Sequence, residues 1–183
     1  KLLVAVAAHA PVAKHPVVVH VANEKPIPPA TRTRVDRWVA ASRYIADWLS
    51  NANAIYADRI RVIHTGVDVA AYSPVWEVAP QRRSALRARF GVRDPEAVVV
   101  LFAGRLVKQK GVQELLDAFE RLRARSRRPV ELLVAGNVRD SNDPRNEKAV
   151  YGRAALERMR GMGGVTYAGS LHPMEMHEFF LAG

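Results

Sequence analysis

The sequence predicts an α/β protein whose parallel strands are covered by helices on both faces. From residue 97 onward, the apolar runs AVVVLFA (97–103), VELLVA (130–135) and GVTYA (164–168) alternate with helical patterns at 112–124, about 147–160 and 173–182. Strands that are apolar at nearly every position, rather than at every second one, need cover on both sides, which parallel sheets in α/β folds provide. Composition agrees: 49% hydrophobic and 25% charged residues give the chain apolar surface to bury and the balance of a folded globular protein.

Taken in order, residues 2–14 are rich in Ala, Leu and Val and read as a buried helix that Pro11 kinks or shortens. PVVVHVA (16–22) is β-branched and apolar and reads as a buried strand. NEKPIPPATR (23–32) has three prolines within four residues and reads as a loop. VDRWVAAS suggests a second strand, with Ser42 as the N-cap of a helix, RYIADWLSN, on which Tyr44, Ile45 and Trp48 should form one apolar face. RIRVIH (59–64) reads as a third strand, and TGVD turns out of it. VDVAAYSPVWEVAP (67–80) loses periodicity and reads as an interdomain linker. An amphipathic helix at about 81–90 ends at Gly91, a suitable C-terminal cap. In the helix at 112–124, Val112, Leu115, Leu116, Phe119 and Leu122 recur at helical spacing and should pack on the sheet, leaving Gln113, Glu114, Asp117 and Arg121 in water. The chain opens at Lys1 without methionine and closes on a helix where the pattern would next supply a strand, so it is expected to be part of a longer protein.

The absence of cysteine excludes disulfides and thiolate metal sites and leaves no argument for an oxidising compartment, so a cytoplasmic location is expected. LLVAVAAHAPVA (2–13) is too short and interrupted to span a bilayer, and it lacks a signal-peptide cleavage pattern. A net charge of +10 and a pI near 10.5 favour an anionic partner: nucleic acid, a nucleotide phosphate or an acidic membrane surface.

The most informative stretch is LFAGRLVKQKG (101–111), which joins a strand to a helix. In open α/β sheets, ligands bind at the carboxyl ends of the strands, where loops lead into helices. A helix N-terminus there presents unpaired N–H groups and about half a positive charge. Gly111 permits close approach to the backbone, and Arg105 and Lys110 add full charges, a setting suited to a diphosphate. The competing reading makes Arg105, Lys108 and Lys110 solvated surface cations; Arg105, directly behind the strand, is the one expected to face a partner, and Lys108 to face solvent. Two familiar phosphate motifs are absent. Lys110 precedes Gly111 and Val112 follows, which is not a P-loop; no G-x-G-x-x-G follows the strand, and GMGG (161–164) leads into a strand rather than out of one.

FAGRLVKQKGVQELLDAFERL resembles the donor-domain signature of the retaining glycosyltransferases of family 4, which have the GT-B fold. VDRWVAASRYIADWL and RIRVIHTGVDVAAYSP resemble the segments that precede the crossing into the donor domain in that family, and ELLVAG and VTYAGSLHPMEMHEFF follow in register. The resemblance thus covers nearly the whole chain. The ANEKPIPP loop and the insertion NVRDSNDPRNEKAVYG are most similar to the spore-coat-protein-SA group. The resemblance implies two Rossmann-like domains, both incomplete: residues 1–66 from the acceptor domain, 67–80 as linker, and 81–183 from the donor domain. It implies an enzyme that binds a nucleotide-diphosphate sugar, expected to be a UDP-sugar, and transfers the sugar with retention of anomeric configuration, without cofactor or metal. Arg105 and Lys110 match the pair that holds the donor diphosphate and stabilises the charge of the leaving group. Gly104, Gly111, Gly136 and Asn137 match donor-site positions, as do Ser170 and Leu171, where relatives contact the base through main chain. For each glycine an ordinary turn is the competing reading. The acceptor is left open as a small molecule, a glycan or a lipid-linked molecule; peripheral membrane contact is compatible with it, and no nucleic-acid partner is expected.

Two departures from the family pattern stand out. Ala22 occupies the position where relatives have histidine, so that group is either lost or replaced in part by His20, two residues earlier on the same strand face. The family's acidic Glu motif and the glycine-rich loop of the acceptor domain are not in the sequence. Elsewhere, His172 and His177 do not share a helix face and predict no zinc site, and DSND (140–143) reads as a surface loop. RLRARSRR (121–128) carries five arginines and reads as a solvated helix end. Contact with nucleic acid or anionic lipid is the alternative, although no aromatic residues interleave. Two other functions fit parts of these observations: a non-catalytic basic protein that binds nucleic acid or anionic membrane, and a GT-B-like sugar-nucleotide epimerase.

Overall fold

A computed structural model describes residues 16–183, so the helix expected at 2–14 lies outside the described residues. The chain divides into two compact units, residues 1–67 and 68–183, each with its own three-stranded parallel sheet.

In the first unit, β1 (Val18–Val21), β2 (Arg37–Ala40) and β3 (Ile60–Val62) pair in the order β1-β2-β3. β1 alternates, burying Val19 and Val21 and exposing Val18 and His20. Helix α1 (Pro29–Arg34) falls inside the stretch read from its prolines as a loop. The prolines explain the helix as well as they explain a loop: Pro29 sits in the first turn, where its fixed φ suits the helix and its missing N–H is not needed. Arg32 on α1 then ties the segment down, donating to Ile27 O at 3.0 and 2.9 Å and to Asn53 O at 3.0 Å. Helix α2 (Arg43–Asn51) starts as the sequence predicts, with Ser42 Oγ accepting the Ile45 amide at 3.2 Å. Its buried face is Ile45 and Leu49, with Trp48 half-buried. Tyr44 is not on that face; one residue turns the helix by about 100°, and the phenol faces outward to donate to Glu24 at 2.5 Å. Trp38, Val35 and Leu49, all fully buried, centre the core.

In the second unit, α3 (Pro80–Arg89) precedes a sheet of β4 (Val98–Ala103), β5 (Val130–Ala135) and β6 (Val165–Gly169) in that order. α4 (Val112–Arg125), α5 (Glu147–Gly161) and α6 (Met176–Leu181) complete it. The central strand is buried at every residue, as two-sided cover requires. Val130, Leu132 and Val134 pack with Val112, Leu116 and Phe119 of α4 and Ala155 and Met159 of α5. Leu133 and Ala135 pack on the opposite side with Leu86 and Phe90 from α3 and its C-terminal cap and with Phe179 of α6. On the same side, Glu131 is buried, and its carboxylate accepts the amides of Arg93, at 3.0 and 3.1 Å, and Asp94, at 2.7 Å.

Three details differ from the sequence reading. Leu122 is 46% exposed rather than packed on the sheet. The polar side of α4 is not simply wet: Arg158 of α5 reaches Asp117 at 2.6 Å, Glu120 at 2.9 Å and Gln113 Oε1 at 3.0 Å. The segment 173–182 is a 3-10 turn, Pro173–Glu175, followed by α6. Gly91, past the end of α3, has φ +80° as its capping position requires. Among the described residues no helix is long and apolar enough to cross a membrane.

Candidate functional site

The loop after β4 is built on two buried residues. Leu106 and Val107 are 0% and 5% exposed and root the segment, while Arg105, Lys108, Gln109 and Lys110 around them are exposed. Leu106 donates its amide to Asn137 O at 3.0 Å, tying this loop to the one after β5. Helix α5 closes in behind: a Cβ on Gly152 would stand 3.0 Å from Leu106 O and 2.7 Å from Val138 Cγ1. The chain then makes a 3-10 turn, Lys108–Lys110, and enters α4 through Gly111 at φ +65°. Glycine is needed at 111 for that left-handed conformation. Space is not the reason, since an added Cβ would meet nothing closer than Glu114 Oε2 at 3.8 Å.

The amides of this junction are more committed than the sequence suggested. Lys110 N donates to Val107 O at 2.9 Å and Gly111 N to Lys108 O at 3.0 Å, within the turn. Gln113 N, in the first turn of α4, donates to Tyr151 Oη of α5 at 3.1 Å. Cationic side chains, rather than a full set of helix amides, are therefore what the loop offers an anion. Arg105, Lys108 and Lys110 have no hydrogen bond or ion pair from their side chains among the described residues. Arg105 follows the exposed end of β4 at Ala103.

The three strand ends lie side by side. Gly104 N donates to Ala135 O at 2.9 Å, and Gly136 N donates to Gly169 O at 2.8 Å. Gly136 is irreplaceable on geometry: a Cβ there would fall 1.7 Å from Gly104 O. Tyr167, half-buried on β6, donates its hydroxyl to Gly136 O at 2.6 Å, and burial pushes its phenol pKa up. Gly104 with Arg105, Gly136 with Asn137, and Ser170 with Leu171 thus occupy one rim, at the carboxyl ends of β4, β5 and β6 respectively. Asn137 and Ser170 are exposed, whereas the Leu171 side chain packs with the α3 and α6 core.

Arg139 and Tyr151 belong to this neighbourhood and were not singled out from the sequence. Arg139 is exposed two residues past Asn137, and its side chain has no partner among the described residues. Counting outward from the strand end would have found it; reading 137–152 as one insertion concealed it. In the first unit, His20 is exposed on β1 and Ala22 is exposed just past its end. Among the described residues, no group of three or more His, Asp or Glu side chains is placed to hold a metal ion.

Residues 86–162 match a family model described as glycosyl transferases group 1. The lipopolysaccharide 1,2-N-acetylglucosaminetransferase of Salmonella typhimurium is 34% identical over 96 residues, 52% of this chain and 24% of that protein. Spore coat protein SA of Bacillus subtilis is 33% identical over 81 residues, 44% of this chain and 21% of that one. The chain spans about a quarter of the length of the curated relatives it matches. A crystal structure of a glycosyltransferase from Rickettsia africae gives a TM-score of 0.64 at 16% identity, covering 86% of this chain and 41% of the other. That likeness bears out the α/β, GT-B type of fold expected from the resemblance.

Proposed function

We propose that the whole protein transfers a sugar, with retention of anomeric configuration, from a nucleotide-diphosphate sugar to an acceptor, a reading supported by the match of residues 86–162 to the glycosyl transferases group 1 model. The observation that carries this reading to particular residues is the set of unpaired cations where β4 hands over to α4. Arg105 and Lys110 hold the diphosphate of the donor, which is a UDP-sugar. When the bond between the sugar and the diphosphate breaks, negative charge grows on the departing phosphate oxygens. Fixed cations that need no rearrangement at that moment stabilise the transition state more than the ground state. Gly104, Gly111 and Gly136 keep side chains clear of the rim, Asn137 lies beside the diphosphate, and Ser170 and Leu171 meet the base through main chain. The acceptor is a small molecule, a glycan or a lipid-linked molecule.

Calorimetric titration of the full-length protein with UDP, and turnover of a UDP-sugar, test the assignment. Arg105→Ala and Lys110→Ala should each weaken UDP binding by about tenfold to a hundredfold, the effect of losing a charged hydrogen bond of about 1.5–3 kcal/mol. If both variants bind and turn over donor like the parent, the diphosphate lies elsewhere. An inverted anomer in the product would remove retention from the proposal.

A further inference from the structure

A second concentration of cations lies in the region of the α4 C-terminus. Residues 121–128 contain five arginines and no acidic residue. Positive charge suits the carbonyl end of a helix, but only within its last turn, and Arg127 and Arg128 fall beyond it. One of the five is committed: Arg123 Nη1 donates to Gly163 O at 2.7 Å. Arg121, Arg125, Arg127 and Arg128 are exposed, and their side chains have no hydrogen bond or ion pair among the described residues. The carboxylates on the adjoining helix surfaces are already held, Asp117 and Glu120 by Arg158 and Glu157 by Arg160. Glu131 is buried on the amides of Arg93 and Asp94. Among the described residues, four guanidinium groups therefore stand in water outside any ion pair.

Apolar surface lies among them. Leu122, 46% exposed, sits between Arg121 and Arg123. Unpaired guanidinium groups next to an exposed leucine match the chemistry of an anionic bilayer interface. Headgroup phosphates accept bonds from the arginines, and the leucine meets the acyl boundary. Nucleic acid matches less well, because residues 121–128 contain no aromatic face for a base to stack on.

We propose that the arginine cluster at 121–128, together with Leu122, is a docking surface for membranes rich in acidic phospholipid. The surface is separate from the diphosphate rim, and its test uses no sugar donor. Sedimentation of the purified chain with vesicles of phosphatidylglycerol and phosphatidylcholine, against vesicles of phosphatidylcholine alone, reads it directly. Acidic vesicles should carry the chain down, neutral ones should not, and the affinity should fall steeply with salt. A surface arginine near an anionic bilayer contributes on the order of fivefold in affinity. The variant Arg121→Gln, Arg125→Gln, Arg127→Gln, Arg128→Gln should therefore lose at least about tenfold, with an unchanged circular dichroism spectrum and melting temperature. Leu122→Ser should leave the salt dependence intact and lower the binding that survives at high salt. Equal partition onto both vesicle types, or a quadruple variant that binds like the parent, overturns the proposal. So does tighter binding to a single-stranded oligonucleotide than to acidic vesicles at the same salt.

Discussion

Replacing Gly136 by alanine puts one methyl group where the rim has no room for it. The new Cβ would stand 1.7 Å from Gly104 O and 2.7 Å from Gly104 C, on a residue whose φ is +156°. No rotamer relieves this contact, because both partners are backbone. β4 and β5 must part at their carboxyl ends, which strains the bonds Gly104 N to Ala135 O, Gly136 N to Gly169 O and Tyr167 Oη to Gly136 O. Losing two such bonds costs about 1–3 kcal/mol, and the backbone strain adds about 1 kcal/mol or more, so a destabilisation of about 2–4 kcal/mol is expected. For a unit of this size that lowers the melting temperature by roughly 10 °C. Urea denaturation followed by circular dichroism, with the melt as a second measure, reads the effect. Gly161→Ala is the control: nothing lies within 4 Å of its added Cβ, and it should shift stability by no more than about 0.5 kcal/mol. A Gly136→Ala variant within about 1 kcal/mol of the parent would refute the close approach of the two strand ends, and with it the shape of the rim.

Tyr167→Phe should cost about 1 kcal/mol by removing the bond to Gly136 O. Burial raises the Tyr167 phenol above its ordinary 10.0, so the folded state holds that proton more tightly than the unfolded one. Its contribution to stability is complete below the unfolded value and is lost as pH rises through the folded one. The parent should therefore lose more stability than Tyr167→Phe between about pH 9 and about pH 11, as urea titrations at each pH will report. Ser42→Ala removes the side-chain acceptor for Ile45 N and should destabilise the first unit by about 1 kcal/mol in the same assay. Arg158→Met removes the bridges to Gln113, Asp117 and Glu120. Both carboxylates are more than half exposed, so the loss should be only about 1 kcal/mol and should shrink at high salt, checked by melts at low and high ionic strength.

The order of strands and helices was legible in the chain because each element advertises itself locally. β5 is apolar at every position but Glu131, Ser42 caps the helix that follows it, and Gly91 sits where a helix must end. Legibility failed where a residue type serves two purposes. The prolines around Pro29 mark a loop and also start α1, and Tyr44 counts as apolar in a pattern yet turns its hydroxyl to Glu24. At the rim, Gly104, Arg105, Gly136, Asn137, Ser170 and Leu171 could be placed at strand ends from the sequence, since a strand's end is a local fact. Tyr151 could not, because its place depends on how the insertion folds back against Leu106 and Gln113.

Local pattern, acting over ranges of a few residues, determined the α/β class, the caps and the concentration of charge at 105–110 and at 121–128. Contacts between residues far apart in the chain decided the rest. They decided which helix amides remain free, why Gly136 admits no side chain, and which arginines are paired and which are left to face water. Hydrogen bonding and burial depend on what the fold brings within a few ångströms, and separation along the chain does not report that distance.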